Sequence, residues 1–98
     1  ESLYLNGNAL RQLPKSLGNL QNLKELYVFD NQLRELPKSI GKLRNLKRLK
    51  VTNNKNINLP NSIGELKNLK LLWLWDCELP MVEINRIKTL LPACKIKY

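Results

Sequence analysis

Large aliphatic residues recur along the chain at a fixed interval of 23 residues. Leu-Pro pairs, Leu-Gly or Ile-Gly pairs and Asn-Leu-Lys triplets each occur three times at this spacing. One unit reads LKELYVFDNQLRELPKSIGKLRN, and its apolar positions are Leu23, Leu26, Val28, Leu33, Leu36, Ile40 and Leu43. Such self-similarity predicts a solenoid, because no single unit can enclose its own leucines and stacked neighbours must supply the core.

Each unit contains two kinds of local pattern. The alternation of Leu26 and Val28 with polar or aromatic residues predicts a short strand with one buried face. Stacking of the units would align these strands into a parallel sheet. The return leg combines Pro37 with Gly41, a composition that favours a short 3₁₀ or turn-like segment over a full α-helix.

Asparagine follows the predicted strand in three units, at Asn8, Asn31 and Asn54. An inward amide here can bond backbone groups that would otherwise be buried without partners, so we expect an asparagine ladder along the solenoid. Cys77 takes this position in the fourth unit, where a small buried thiol can act as a weak donor. In the third unit Asn56 occupies a leucine position, and we expect a local bulge that turns Ile57 inward instead.

The C-terminal segment does not follow the 23-residue repeat. Ile84, Ile87 and Leu91 lie at i, i+3 and i+7, which predicts an amphipathic helix that ends before Pro92. Alternation then predicts a last strand, in which Lys95 and Lys97 separate Cys94, Ile96 and Tyr98. Together these elements are typical of the polar cap that solenoids need for solubility.

The skeleton L-x-x-L-x-L-x-x-N-x-L resembles the leucine-rich repeat family over residues 2 to about 82. The resemblance implies an α/β solenoid with a curved parallel β-sheet on its concave side, short 3₁₀ or turn segments on its convex side and a C-terminal helix–strand cap. It implies one domain over 1–98, with repeats at about 1–22, 23–45, 46–68 and 69–82 and the cap at 83–98.

Two branches of the family share the 23-residue LPxxIGxL unit. One comprises repeat proteins of pathogenic spirochaetes, and the other is the intracellular Ras-associated type of plants and animals. The tail EINRIKTLLPACKIKY resembles the closing helix and strand of the spirochaete proteins. That resemblance implies a bacterial protein, secreted or at the cell surface, that meets host molecules.

The alternation also predicts which side chains face outward on the concave side. Five of the six aromatic residues fall on this face. Large exposed apolar patches usually mark an interaction site, although exposed strand positions also favour aromatic residues for their β-propensity. We predict that Tyr27, Phe29, Trp73 and Trp75 anchor a partner and that Lys50 and Thr52 lie between them. The full predicted site is Tyr4, Tyr27, Phe29, Lys50, Thr52, Trp73, Trp75 and Asp76.

The chain carries 17 Lys and Arg against 8 Asp and Glu, a net charge of +9. Many of these cations fall on the return legs: Lys15, Lys38, Lys42, Arg44, Lys47, Lys67 and Lys70. The predicted concave face is close to neutral. Because a nucleic-acid reader places cations and aromatic rings on the same face, we do not expect a nucleic-acid partner. The basic face is interpreted as a solvated surface, with contact to acidic lipid or another polyanion as the alternative.

The chemistry available to this chain is limited. A length of 98 residues fits one domain, and the absence of histidine removes the usual general base and the usual zinc ligand. Cys77 and Cys94 are either two reduced thiols or one disulfide. Asp76 and Glu78 lie close in sequence without a pocket-forming insertion, so we expect no enzyme activity and no cofactor. The longest apolar run, 71–75, is far shorter than the ~20 residues that cross a bilayer.

These observations predict a non-enzymatic protein–protein interaction module that binds another protein or a peptide. One alternative is a homo-oligomerising structural protein. Leu3 and Leu5 lie in the first unit, which has no visible cap: either the natural protein carries earlier repeats, or this edge pairs with another chain, and an unpaired edge would favour self-association. The other alternative is an intracellular signalling scaffold of the Ras-associated type.

Overall fold

The computed structural model describes residues 1–5, 11–30 and 32–98. Five parallel strands form one sheet in chain order: β1 (Ser2–Tyr4), β2 (Glu25–Tyr27), β3 (Arg48–Lys50), β4 (Leu71–Trp73) and β5 (Lys95–Lys97). Three 3₁₀ segments occupy the return legs at Lys15–Asn19, Lys38–Lys42 and Asn61–Glu65. The helix α1 spans Met81–Leu90 and leads into β5. The predicted solenoid with its helix–strand cap is therefore confirmed.

The middle residue of each strand carries the core. Leu26, Leu49 and Leu72 pair with one another in register and have no exposed surface. Since side chains alternate along a strand, the residues on either side of each leucine point outward. This register is what brings the repeated outward positions into continuous rows on the concave face.

The 3₁₀ segments stack against one another on the convex side. Each begins directly after a proline whose extended backbone has φ near −70°: Pro14 at −72°, Pro37 at −66° and Pro60 at −70°. Buried residues of these segments, such as Ile40 and Ile63, close the core from this side. The return legs thus have the short 3₁₀ form that their Pro and Gly residues predict.

The described part of the asparagine ladder is Asn54, which is fully buried. Its amide nitrogen donates to the carbonyl oxygens of Val28 at 2.9 Å, Thr52 at 3.1 Å and Val51 at 3.3 Å. Its carbonyl oxygen accepts the backbone N–H of Leu33 at 3.2 Å. Asn54 thereby links two adjacent repeats, as the sequence predicts; Asn8 and Asn31 lie outside the described residues.

Cys77 repeats this link one unit later. Its thiol donates to the carbonyl oxygen of Val51 at 2.8 Å and is fully buried, so it replaces the asparagine as predicted. Burial raises the pKa of the Cys77 thiol, and burial also raises the pKa of Cys94 to about 11. Both cysteines are free. Of the two alternatives, the structure thus has two protonated thiols of low reactivity.

The bulge predicted in the third unit is present. Ile57 is 1% exposed, and Asn56 is exposed with a left-handed backbone at φ 57°. Left-handed residues also follow the strands at equivalent positions: Asp30 at φ 59°, Asn53 at 56° and Asp76 at 60°. Asp and Asn tolerate this conformation better than other non-glycine residues, which explains their recurrence where the chain turns out of each strand.

The C-terminal cap closes one end of the core. Ile84, Ile87 and Leu91 are buried, which confirms the amphipathic helix. Tyr98 follows β5 and is 53% exposed, so its side chain is not buried in the way that the alternation with Lys95 and Lys97 predicts. Its hydroxyl instead lies 2.8 Å from the ammonium of Lys88, which also sits 4.6 Å from the centre of its ring.

Arg86 fastens α1 to the third repeat. Its guanidinium donates to Glu83 Oε1 in the same helix, through Nε at 2.9 Å and Nη2 at 2.5 Å. It also donates to the side-chain oxygen of Asn61 at 2.6 Å and to the carbonyl oxygen of Leu59 at 2.5 Å. One planar side chain thus joins the cap to the loop and 3₁₀ segment beneath it.

We expect Arg86→Met to lower the free energy of unfolding by about 1–2 kcal/mol, because methionine retains the apolar stem but strands the Leu59 carbonyl and the Glu83 carboxylate. Urea denaturation followed by circular dichroism measures this loss. Lys67→Met, which removes one charge from an exposed side chain of the third repeat, is the matched control and should change stability by less than about 0.5 kcal/mol. Equal losses of stability in the two variants would contradict the conclusion that Arg86 joins the cap to the third repeat.

Candidate functional site

Strand register builds the candidate site on the concave face. Tyr4 pairs with Tyr27, Tyr27 with Lys50, Lys50 with Trp73 and Trp73 with Lys97. These residues form one continuous row across all five strands of the sheet, and we call it the central row. The sequence predicts the first four members of this row. It does not predict Lys97, because the outward positions were assigned in the four repeats and not in the cap strand β5.

A second row on the same face begins with three polar residues that contact one another. The hydroxyl of Ser2 donates to Glu25 Oε1 at 2.6 Å, and Arg48 Nη1 lies 3.3 Å from Glu25 Oε2. The hydrogen bond from Ser2 and the positive charge of Arg48 lower the pKa of the Glu25 carboxyl group. Arg48 is therefore already matched by a carboxylate within the domain.

Aromatic side chains form two clusters on the central row and beside it. The rings of Tyr4 and Tyr27 stack with centres 4.6 Å apart and planes inclined by 24°. The rings of Trp73 and Trp75 lie 6.4 Å apart at 53°. Tyr4 is 60% exposed and Trp75 is 46% exposed, which leaves both available to a partner. Partial burial raises the pKa of the Tyr27 hydroxyl, and the nearby negative charge of Glu25 raises it further.

Lysine ammonium groups lie over the aromatic rings. Lys50 Nζ is 5.1 Å from the ring centre of Phe29 and 5.5 Å from that of Trp73. Lys97 Nζ is 5.8 Å from Trp73 and 5.9 Å from Trp75. All four distances fall within the ~6 Å range of cation–π attraction. The two aromatic clusters and two cations therefore make one contiguous mixed surface.

Comparison with known proteins places this arrangement in a family. The family model that describes a leucine-rich repeat region matches residues 2–91. The chain belongs to the leucine-rich repeat family. Domains of this family are typically non-enzymatic, and solenoids of this kind bind ligands on their extended concave surfaces.

A solved structure of a leucine-rich repeat protein from Leptospira interrogans is similar to the domain throughout. It matches with 42% sequence identity and a TM-score of 0.95 over 100% of this chain. The chain spans 25% of the length of that protein. A search of curated protein sequences finds no match. Within the described ranges, no helix of this leucine-rich repeat domain is long and apolar enough to cross a membrane.

Thr52 departs from the prediction for this face. It was expected to present its side chain between the aromatic pairs, but only 8% of it is exposed. Thr52 takes the same repeat position as Phe29 and Trp75 in the adjacent units, but its side chain is much shorter. Thr52 therefore offers a partner little accessible surface, and Lys50 is the polar residue available there.

Asp76 lies at the edge of the concave face of this leucine-rich repeat domain. Its side chain is exposed, and its backbone is left-handed. Asn53, at the equivalent position one repeat earlier, donates from its amide to the carboxylate of Asp30 at 2.7 Å. This edge is consequently acidic and polar, in contrast to the lysines of the central row.

A groove on the described part of the domain lies away from the aromatic surface. It has a volume of about 930 Å³ and runs along the return legs, where it is lined by equivalent residues of successive units such as Lys15, Lys38 and Asn61. The residues that line this groove therefore recur from unit to unit. On the concave face, in contrast, equivalent positions of successive units carry different side chains, and for this reason we place the candidate site there.

Proposed function

We propose that this leucine-rich repeat domain is a non-enzymatic protein–protein interaction module that binds its partner through the concave aromatic face. The observation that carries the proposal is the contiguous surface of Tyr27, Phe29, Trp73 and Trp75 around Lys50. Tryptophan and tyrosine are enriched among the residues that dominate binding energy. The similarity to the Leptospira protein supports a bacterial origin, and export to meet host molecules is part of the proposal.

The dimensions of the face limit what it can hold. Five strands at ~4.8 Å spacing give a sheet roughly 19 Å across. The domain itself measures 32 × 30 × 18 Å. A surface of this width suits an extended peptide, a loop or one edge of a folded domain. Its area is smaller than the ~800 Å² that each partner contributes to a standard interface. Affinity should therefore depend on few residues.

We expect Trp75→Ala to weaken partner binding by ~2 kcal/mol, about thirtyfold, and to leave the fold intact. The side chain is 46% exposed, while the backbone is fixed independently because the Trp75 carbonyl oxygen accepts the N–H of Asn53 at 2.9 Å. The probe is a set of peptides selected from a random phage-displayed library on the immobilised wild-type domain. Each selected peptide is then synthesised and titrated against the variant.

The matched control is the double variant Lys42→Ala with Lys67→Ala on the convex side. It should alter equilibrium affinity by less than about threefold, because distant charges act mainly on the association rate. Circular dichroism checks that both variants fold. If the peptides bind Trp75→Ala normally and lose binding to the lysine variant, the basic face is the site and the proposal is wrong.

Self-association is a second candidate function, and one feature of the sheet favours it. Among the described residues β1 pairs with β2, and the adjacent Leu3 and Leu5 are only partly buried. Multi-angle light scattering over a wide concentration range distinguishes the two functions. A mass that rises with concentration supports pairing at this edge, whereas a constant monomer mass counts against it.

A further inference from the structure

The central row contains two cations, Lys50 and Lys97, that have no anionic partner in the described part of the chain. The described salt bridges are Arg48 with Glu25, Lys55 with Glu78 and Arg86 with Glu83. Neither Lys50 nor Lys97 is among them. Glu25, the acidic residue of the neighbouring strand row, is thus already paired with Arg48, and neither lysine has a carboxylate within salt-bridge distance among the described residues.

Both cations converge on one ring. Lys50 and Lys97 pair with Trp73 from the two neighbouring strands, and their ammonium groups lie 5.5 Å and 5.8 Å from its centre. Like charges drawn toward the same ring repel one another, and a carboxylate between them would replace that repulsion with two ion pairs. The geometry therefore favours an anionic group at this point on the face.

The donors available beside this ring are the two ammonium groups. The indole Nε1 atom of Trp73 has no hydrogen-bond partner among the described residues, but it is buried and a ligand on the surface does not reach it. A ligand that accepts hydrogen bonds would therefore complement Lys50 and Lys97, on either side of the Trp73 ring.

We propose that the concave face recognises an acidic peptide segment, with an aspartate or glutamate carboxylate seated between Lys50 and Lys97 at Trp73. This inference rests on the proposed function and specifies the chemistry of its partner. Apolar side chains that flank the carboxylate would pack on Tyr27, Phe29 and Trp75. A single-stranded nucleic acid is the competing anionic ligand, since it too would bring anionic groups to the lysines and bases to the rings, and the test below includes it.

The test uses two synthetic peptide libraries that differ in one respect. Both are about eight residues long, enough to cross the sheet in extended form, and both have blocked termini and randomised apolar flanks. One carries glutamate at its two central positions, and the other carries glutamine. Binding is followed by tryptophan emission, because both tryptophans of the chain lie on this face.

We expect the glutamate library to bind the wild-type domain roughly tenfold more tightly than the glutamine library, and the difference to shrink between about 0.1 M and 1 M salt. Lys50→Gln and Lys97→Gln should each abolish most of the difference. Lys42→Gln removes the same charge from the convex side and should preserve it. Circular dichroism verifies that each variant folds.

Equal affinity of the two libraries would overturn the acidic inference. If the binding of both then still depends on Trp75, the proposed function stands; if it does not, the proposed function fails as well. Tighter binding of single-stranded oligo(dT) than of the glutamate library, with the same dependence on Lys50 and Lys97, would overturn the inference in favour of a phosphate polyanion. A dimer whose formation requires Lys97 would overturn it in favour of a second copy of the chain.

Discussion

Asn54→Leu will lower the free energy of unfolding by about 4 kcal/mol. Leucine is close to asparagine in shape but cannot bond the backbone, so the N–H of Leu33 and the carbonyl oxygen of Val28 lose their partner in a fully buried position. Each stranded group costs about 1–3 kcal/mol, and Val51 and Thr52 each lose a weaker contact. Urea denaturation of the purified domain provides the measurement.

Asn54→Cys is the matched control, because the chain itself uses Cys77 at the equivalent position of the next repeat. A thiol at residue 54 can donate to the Val28 carbonyl oxygen, as Cys77 donates to Val51. We expect this variant to lose about 1–2 kcal/mol, clearly less than Asn54→Leu. A leucine variant as stable as the cysteine variant would show that the ladder contributes little.

Gly41→Ala will destabilise the domain by about 3 kcal/mol. An added Cβ would lie 2.7 Å from the backbone carbonyl oxygen of Ser62, in the 3₁₀ segment stacked on it, and a backbone atom cannot move aside cheaply. Overpacking of this kind typically costs 1–3 kcal/mol. The convex stack should therefore loosen between the second and third repeats, and a thermal or urea transition measures the change.

Gly64→Ala tests whether close approach, and not the loss of glycine itself, causes this effect. Gly64 occupies the same position one repeat later, where an added Cβ would lie 3.3 Å from the carbonyl oxygen of Leu90 in α1. Only a small adjustment is needed there, and alanine favours helical backbone over glycine by up to ~1 kcal/mol. We expect little net change in stability. A similar loss in both variants would contradict the stacking argument.

The 23-residue period was sufficient to predict most of this fold. Apolar residues that recur at the same position of every unit become buried when successive units stack in register. The inward turn of Ile57 in place of Asn56 could be predicted for the same reason: burial favours the apolar neighbour. The helix at Ile84 and Ile87 followed from its own apolar spacing. These features depend on hydrophobic periodicity, which a sequence displays directly.

Other features depend on contacts between elements, and the sequence does not display them. The left-handed backbone at Asp30 and Asp76 arises where the chain leaves each strand, and Arg86 reaches a carbonyl group in a different repeat. Lys97 joins the candidate site only because β5 pairs with β4 in register. Thr52 is buried, although its position in the pattern is outward. Each of these depends on which side chains become neighbours across strands.

The central claim is that the concave face binds the partner, and the two indole N–H groups of the chain report on it directly. In a ¹⁵N-labelled sample, the signals of Trp73 and Trp75 are followed during titration with a peptide selected on the wild-type domain. We predict that both indole signals shift in proportion to occupancy, while the backbone amides of the convex segment Lys38–Lys42 stay in place. Saturable shifts in that convex segment, with both indole signals unchanged, would contradict the claim.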